Sequence, residues 1–260
     1  MTSTRAGPNP DHMDTVTLAQ RPDLSDAVYR IPYPPDSPRF MQGNLASLLV
    51  RGRRVAQRWP HLVVALLDGD RPVARGIMVG YRADRDARPA LPDGGWDQVA
   101  VWAAEDAMDG VEPDTACALE IAVHPDHQGR GLSGAVLAAM RSAAAGSRVL
   151  LVPLRPPDKA AEPEVPLDVY AARTRADGLP ADRWLRTHVR AGGRVEGIAR
   201  CSSTVQAPLE RWREWTGLPF DRDGAVVVPG ALAPVFVSTS HDVAVYVEAN
   251  VWVSHPVPVG

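Results

Sequence analysis

Leu119-Glu120-Ile121-Ala122-Val123-His124-Pro125-Asp126-His127-Gln128-Gly129-Arg130-Gly131-Leu132-Ser133-Gly134 is the stretch of this 260-residue chain that decides its fold. The apolar run from Cys117 to Val123 reads as a strand. A glycine-rich loop follows it. Leu132, Ala135, Val136, Ala139, Met140 and Ala143 then recur at helical spacing, which predicts an amphipathic helix to about residue 145 with one face on a sheet. Strand, glycine loop and helix in this order make an anion cradle. Glycines let successive backbone N–H groups turn toward phosphate oxygens with no Cβ in the way. The helix that starts near Gly131 adds its N-terminal partial positive charge.

Gly129, Gly131 and Gly134 also satisfy G-x-G-x-x-G, the dinucleotide fingerprint. Two features oppose that reading. His124 to Gln128 separate the strand from the first glycine, whereas a dinucleotide turn follows its strand almost directly. An acidic residue is expected about 20 positions on to hold a ribose hydroxyl, and Val149 stands there. No Gly-Lys-Ser/Thr follows, so a Walker A loop is excluded.

Outward from this stretch, a hairpin is predicted from Leu62 to Leu67 and Val73 to Tyr81 around Asp68-Gly69-Asp70-Arg71. A first strand fits Thr15 to Leu18, with a short helix near Ser25 and a longer one from Phe40 to Trp59, where Leu45, Leu48, Leu49 and Val55 share a face. Trp96 to Met108 reads as helix, Val149 to Leu154 as strand, and Ala181 to Arg190 as a helix stopped by Gly192-Gly193. Strands follow at Arg194 to Ile198 and Val243 to Val253, with a short helix at Leu209 to Trp215. This order predicts an α/β (α+β) layered sheet.

Val123-His124-Pro125 followed by Gln128-Gly129-Arg130-Gly131-Leu132-Ser133 resembles the acyl-CoA motif of the GNAT superfamily of N-acetyltransferases, V-x-P and then Q/R-x-x-G-x-G/A. Ser133 departs from the usual Gly or Ala and is small enough to leave the loop open. The resemblance is clear over residues 62–157 and weaker over 181–198. It implies a central mixed sheet splayed at its fourth and fifth strands, flanked by helices, with a C-terminal extension. It also implies acetyl-CoA or another acyl-CoA as co-substrate. Backbone groups of Ile121, Ala122 and Val123 would bond the pantetheine. Amides of Gln128, Gly129, Arg130, Gly131, Leu132, Ser133 and Gly134 would hold the pyrophosphate.

Acyl transfer to an amine needs a group that takes the amine proton, a donor for the oxyanion, and a proton or its equivalent for the departing thiolate. Glu120 has the opposite parity to Leu119, Ile121 and Val123, and the resemblance places a carboxylate base there; a salt-bridged strand residue is the other reading. His188 stands four residues before Gly192, where the family carries a thiolate-protonating Tyr. A histidine can donate at neutral pH; a packed helix residue is the other reading. Tyr246, Glu248, Asn250 and Trp252 share one face of a late strand and are candidates to line the acceptor cleft; an exposed sheet face is the other reading. His124 and His127 are expected to shape the loop, and Trp212 and Trp215 to pack in the core.

A net charge of -3 gives no electrostatic reason to expect nucleic acid. No apolar run reaches the roughly 18 residues of a membrane span, and no metal-ligand spacing occurs. Cys117 and Cys201 read as small buried hydrophobes, and the protein is expected to be cytoplasmic. Residues 1–14 are expected to form a disordered tail and residues 15–260 one domain, with a donor-binding core at 62–157 and an acceptor-shaping part at 158–260. The expected activity is N-acyl transfer from acyl-CoA to an amine of a small molecule. Left open are an acyl carrier protein as donor, a homodimer, and a non-catalytic acyl-CoA-binding sensor or partner module.

Overall fold

The hairpin closes on Gly69, whose φ of +62° suits the first central position of a two-residue turn, and Asp68 faces Arg71 across it. The computed structural model describes residues 13–33 and 37–258. The strands are β1 (Asp14–Thr17), β2 (Val63–Asp68), β3 (Arg71–Tyr81), β4 (Thr115–Val123), β5 (Leu150–Leu154), β6 (Arg194–Ala207), β7 (Gly224–Val226), β8 (Val235–Ser238) and β9 (Val243–His255). The helices are α1 (Ser25–Tyr29), α2 (Arg53–Arg58), α3 (Gly95–Met108), α4 (Leu132–Ala143), α5 (Leu167–Ala171), α6 (Arg183–Arg190) and α7 (Leu209–Thr216). Most of the expected tail lies outside the described residues, and Asp14 already pairs with Leu67.

The sheet runs β1-β2-β3-β4-β5-β9-β8-β7, and β6 covers the other edge of β9. All neighbours are antiparallel except β4 and β5, which are parallel. This is the expected mixed α/β sheet flanked by helices. Its two faces are assigned by β3. A Cβ built on Gly76 would lie 2.6 Å from the Met140 sulfur, so α4 presses on that face, with Val136 and Met140 fully buried. Arg75 points the opposite way and bonds the Val28 and Ile31 carbonyls at 2.9 and 2.7 Å. Tyr81, of the same parity as Arg75, meets Trp102 of α3 at 5.7 Å between ring centroids. The Arg75 face therefore carries α1 and α3. A second apolar cluster gathers Phe40, Trp212, Phe220 and Tyr246, with Phe40 5.5 Å from Trp212 and 5.1 Å from Tyr246.

The helix expected from Phe40 to Trp59 is broken into a 3₁₀ turn at Arg39–Gly43, another at Ala46–Leu48, and α2. The Asn44 side chain accepts from Ser47 N, and Gly52 turns to a φ of +43°; a side chain bonding its own backbone favours a turn over a helix. Leu45, Leu48 and Leu49 are exposed, and of that supposed face only Val55 is buried. Cys117 is buried as expected, but Cys201 is exposed. The reason is a register shift of β6 against β9 between Ala199 and Ser203, which lifts the intervening residues off the ladder. No helix among the described residues is long and apolar enough to cross a membrane.

Candidate active site

The two parallel strands pair only at Ala116 with Leu150 and Cys117 with Leu151. Beyond those rungs β4 continues to Val123 beside β3 alone, and β5 continues to Leu154 beside β9 alone. Two strands that share rungs at one end only enclose a wedge-shaped gap. His124 N donates to Val73 O, and backbone groups alternate along an antiparallel pair. The peptide groups of Ala122 thus turn to β3, while those of Ile121 and Val123 turn into the gap. Between Ile77 and Met78 the register shifts, leaving Leu119 as the extra residue of a bulge on β4. Two side-chain donors reach this edge: Trp96 Nε1 bonds Leu119 O at 3.1 Å, and Gln128 Nε2 lies 3.5 Å from Val123 O. Ile121 stands between them.

The glycine loop opens at the mouth of this gap. Gly129 and Gly131 have φ of +74° and +75°, a region L side chains rarely adopt, and Gly131 is the residue before α4. A Cβ built on Gly129, Gly131 or Gly134 would meet nothing within 4 Å. The loop is therefore open at its glycines, with a helix N-terminus behind it, as a phosphate group requires. Gln128 N is spent on Pro125 O and Gly134 N on Gly131 O, whereas Leu132 and Ser133 open α4, where no carbonyl one turn back is available. His127 Nδ1 lies 3.1 Å from Arg130 Nη1, and His124 accepts from Asp126 N. Both histidines shape the loop.

Glu120 stands on the Arg75 face, as its parity predicts, but its carboxylate is engaged. Arg75 Nε donates to Oε1 and the Tyr33 hydroxyl to Oε2, each at 2.5 Å, and the Arg75 guanidinium lies 5.2 Å from the Tyr33 ring centroid. Burial, with Glu120 adding to it, pushes the Tyr33 phenol well above its ordinary range. This is the contact that the salt-bridged reading expects, with a guanidinium that is itself buried. Arg75 was missed; the readable signal was an arginine inside the apolar run Val73 to Tyr81.

His188 lies on α6 and is buried against His255, with Nδ1 2.8 Å from the His255 Nε2. His255 pairs with Leu150, the residue that makes the closed-end rung with Ala116. Burial, then the neighbouring His255, lowers the His188 pKa to about 4, so it is neutral at pH 7. The structure thus sets it in a buried pair near the closed end of the gap, as a neutral imidazole at neutral pH.

Tyr246, Glu248, Asn250 and Trp252 do lie together on one face of β9, all buried. The Tyr246 hydroxyl donates to Glu248 Oε2 at 2.7 Å and accepts from Leu232 N at 2.8 Å. Arg155 Nε donates to Glu248 Oε2 at 2.9 Å, and Asn250 Nδ2 to Glu248 Oε1 at 3.1 Å. The chain of bonds continues into α3: Ser202 Oγ donates to Asn250 Oδ1 at 2.6 Å and accepts from Trp96 N at 2.9 Å. Trp252 Nε1 donates to Pro92 O at 3.1 Å. Asp97, beside Trp96, accepts from Asn44 Nδ2 at 2.6 Å and Thr204 N at 2.9 Å, and its burial raises its pKa. Trp212 packs in the core as expected, with its indole on Ala244 O.

No family model matches the chain. It is 35% identical over 189 residues to an arginine N-acetyltransferase, avaD, of Aspergillus versicolor, and the match covers 64% of this chain. The chain thus spans 65% of the length of that relative. Among solved structures it is similar to the loading GNATL domain of CurA from Lyngbya majuscula, with a TM-score of 0.54 at 14% identity over 94% of this chain and 98% of that one. It is also similar to the GphF GNAT-like decarboxylase in complex with isobutyryl-CoA, with a TM-score of 0.50 at 16% identity over 94% and 98%. At such identities the solved structures establish the fold.

Proposed function

We propose that the chain, which has the GNAT fold and is 35% identical over 189 residues to an arginine N-acetyltransferase, moves an acyl group from acyl-CoA to an amine of a small molecule. The observation that carries this is the gap between β4 and β5, which opens onto a loop with positive-φ glycines at the N-terminus of α4. The arginine N-acetyltransferase likeness supports a basic amine as acceptor. The bound thioester supplies the acyl electrophile and the thiolate leaving group; the remaining work falls to this chain.

In this reading the backbone from Gln128 to Gly134 holds the pyrophosphate, with the first-turn amides of α4 as donors. The edge groups of Ile121 and Val123 receive the pantetheine, and Ala122 serves by pairing with β3. Ile121 N points into the gap just past the Leu119 bulge, where a backbone donor can stabilise an oxyanion. The acceptor comes from the Arg75 face, beneath α3 and beside the β9 residues Tyr246, Glu248, Asn250 and Trp252. We assign Glu120 to holding Arg75 and the segment through Tyr33 in place, with the amine proton passing to water. Thiol release from acetyl-CoA with L-arginine and other small amines tests the activity. Tight CoA binding without turnover for any amine would favour the non-catalytic module instead.

A further inference from the structure

Trp96 occupies the first turn of α3, the helix between β3 and β4, and its indole Nε1 bonds Leu119 O at 3.1 Å. Leu119 is the extra residue of the β4 bulge, so its carbonyl turns away from β3 and into the gap. The donor that reaches this carbonyl therefore borders the gap. The backbone that carries the ring is fixed as well. Trp96 N donates to Ser202 Oγ, which is bonded to Asn250, and a Cβ on Gly95 would lie 2.2 Å from that same hydroxyl. Such an approach fixes the start of α3 against β6.

The direction of the gap gives this position its meaning. The glycine loop follows the C-terminal end of β4, so a pantetheine that starts there runs back along β4, past Val123 and Ile121, toward the closed end. Leu119 comes next. At Cys117, two residues further and about 7 Å along a strand, β4 and β5 are already paired. The indole bonded to Leu119 O stands beside that last stretch.

We propose that the Trp96 indole is the end wall of the acyl pocket and restricts the donor to acetyl or a similarly short acyl group. The proposal rests on the acyl-CoA reading above and adds its chain-length specificity. A hydrophobic pocket discriminates by roughly 10- to 200-fold per methylene group, so an acyl chain several carbons too long is strongly disfavoured.

Calorimetric titration of the full chain with CoA, acetyl-CoA and hexanoyl-CoA tests it without knowledge of the acceptor. The unaltered protein should bind acetyl-CoA at least about 10-fold more tightly than hexanoyl-CoA. Trp96→Ala should move that ratio at least about 10-fold toward hexanoyl-CoA, with affinity for CoA itself unchanged. Trp96→Phe, which keeps a ring, should retain the discrimination. Trp96→Leu, which still fills the core if the alanine variant fails to fold, should show part of the shift. An unchanged ratio in the alanine or leucine variant would overturn the proposal, as would equal binding of both donors by the unaltered protein. Either result leaves the acyl-CoA reading standing, whereas absence of CoA binding by the unaltered protein removes both.

Discussion

His188 Nδ1 lies 2.8 Å from His255 Nε2 in a buried pair that joins α6 to the end of β9. Burial depresses both to a pKa of about 4, assisted at His188 by its partner and at His255 by Arg141. Their folded-state pKa values lie below the unfolded value near 6.5, so the unfolded chain binds more protons between these limits. The pair's contribution is fully present above pH 6.5 and is lost as pH falls toward 4. Urea unfolding should show stability declining over this window, by roughly 1.4 kcal/mol per pH unit for each histidine that gains a proton on unfolding. In His188→Gln the slope should fall by about one proton; identical slopes would contradict the account.

The same variant separates packing from catalysis. Loss of a general acid lowers turnover by roughly 10²- to 10⁴-fold. His188→Gln should leave turnover per folded molecule at pH 7.5 within a few-fold of the unaltered protein, read by thiol release from acetyl-CoA. A loss of 10²-fold or more would return His188 to the reaction.

Glu120→Ala removes the carboxylate partner of the buried Arg75 guanidinium. Breaking such a pair from one side costs roughly 3–5 kcal/mol, so the denaturation midpoint should drop sharply. Glu120→Gln should cost less, since its amide oxygen still accepts from Arg75, and should leave the pH profile of turnover where it was. An upward shift of the pH optimum with full stability would identify Glu120 as the base.

The strand, glycine loop and helix proposed to hold the donor were legible as structure because their signals are local. The loop from Gln128 to Gly134, its glycines and the apolar stripe of α4 lie within one short segment, and their spacing alone predicts strand, turn and helix. Tyr246, Glu248, Asn250 and Trp252 were legible as a shared face, because strand parity needs no partner. Partners were not legible. Neither the Arg75 bond to Glu120 nor the His255 bond to His188 leaves a mark on local spacing, since each joins residues 45 or 67 positions apart. The broken helix after Phe40 has a similar cause. Leucines at helical spacing predicted a buried face, but Asn44 and Gly52 turn the chain before a helix can form.

Arg155→Met tests whether the β9 residues form one unit. Glu248 is 1% exposed and would keep Tyr246 and Asn250 as donors but lose its only cationic partner among the described residues. Stability should fall by roughly 3 kcal/mol. Arg155→Lys should recover part of it, since an ammonium restores the charge without the planar geometry of the guanidinium. Equal stability of Arg155→Met and the unaltered protein would mean that the acid is not held as a carboxylate by this pair.

The most direct test of the central claim is calorimetric titration of CoA into the unaltered chain and into Gly131→Glu. Gly131 sits at φ +75° before α4, so the substitution strains the loop and places a negative charge at the proposed phosphate site. A thermal melt of each protein confirms that both remain folded, and a parallel melt with NAD should show no stabilisation. CoA should bind the unaltered protein, and binding should be abolished in the variant. Equal affinity for both proteins, or stabilisation by NAD with none by CoA, would contradict that claim.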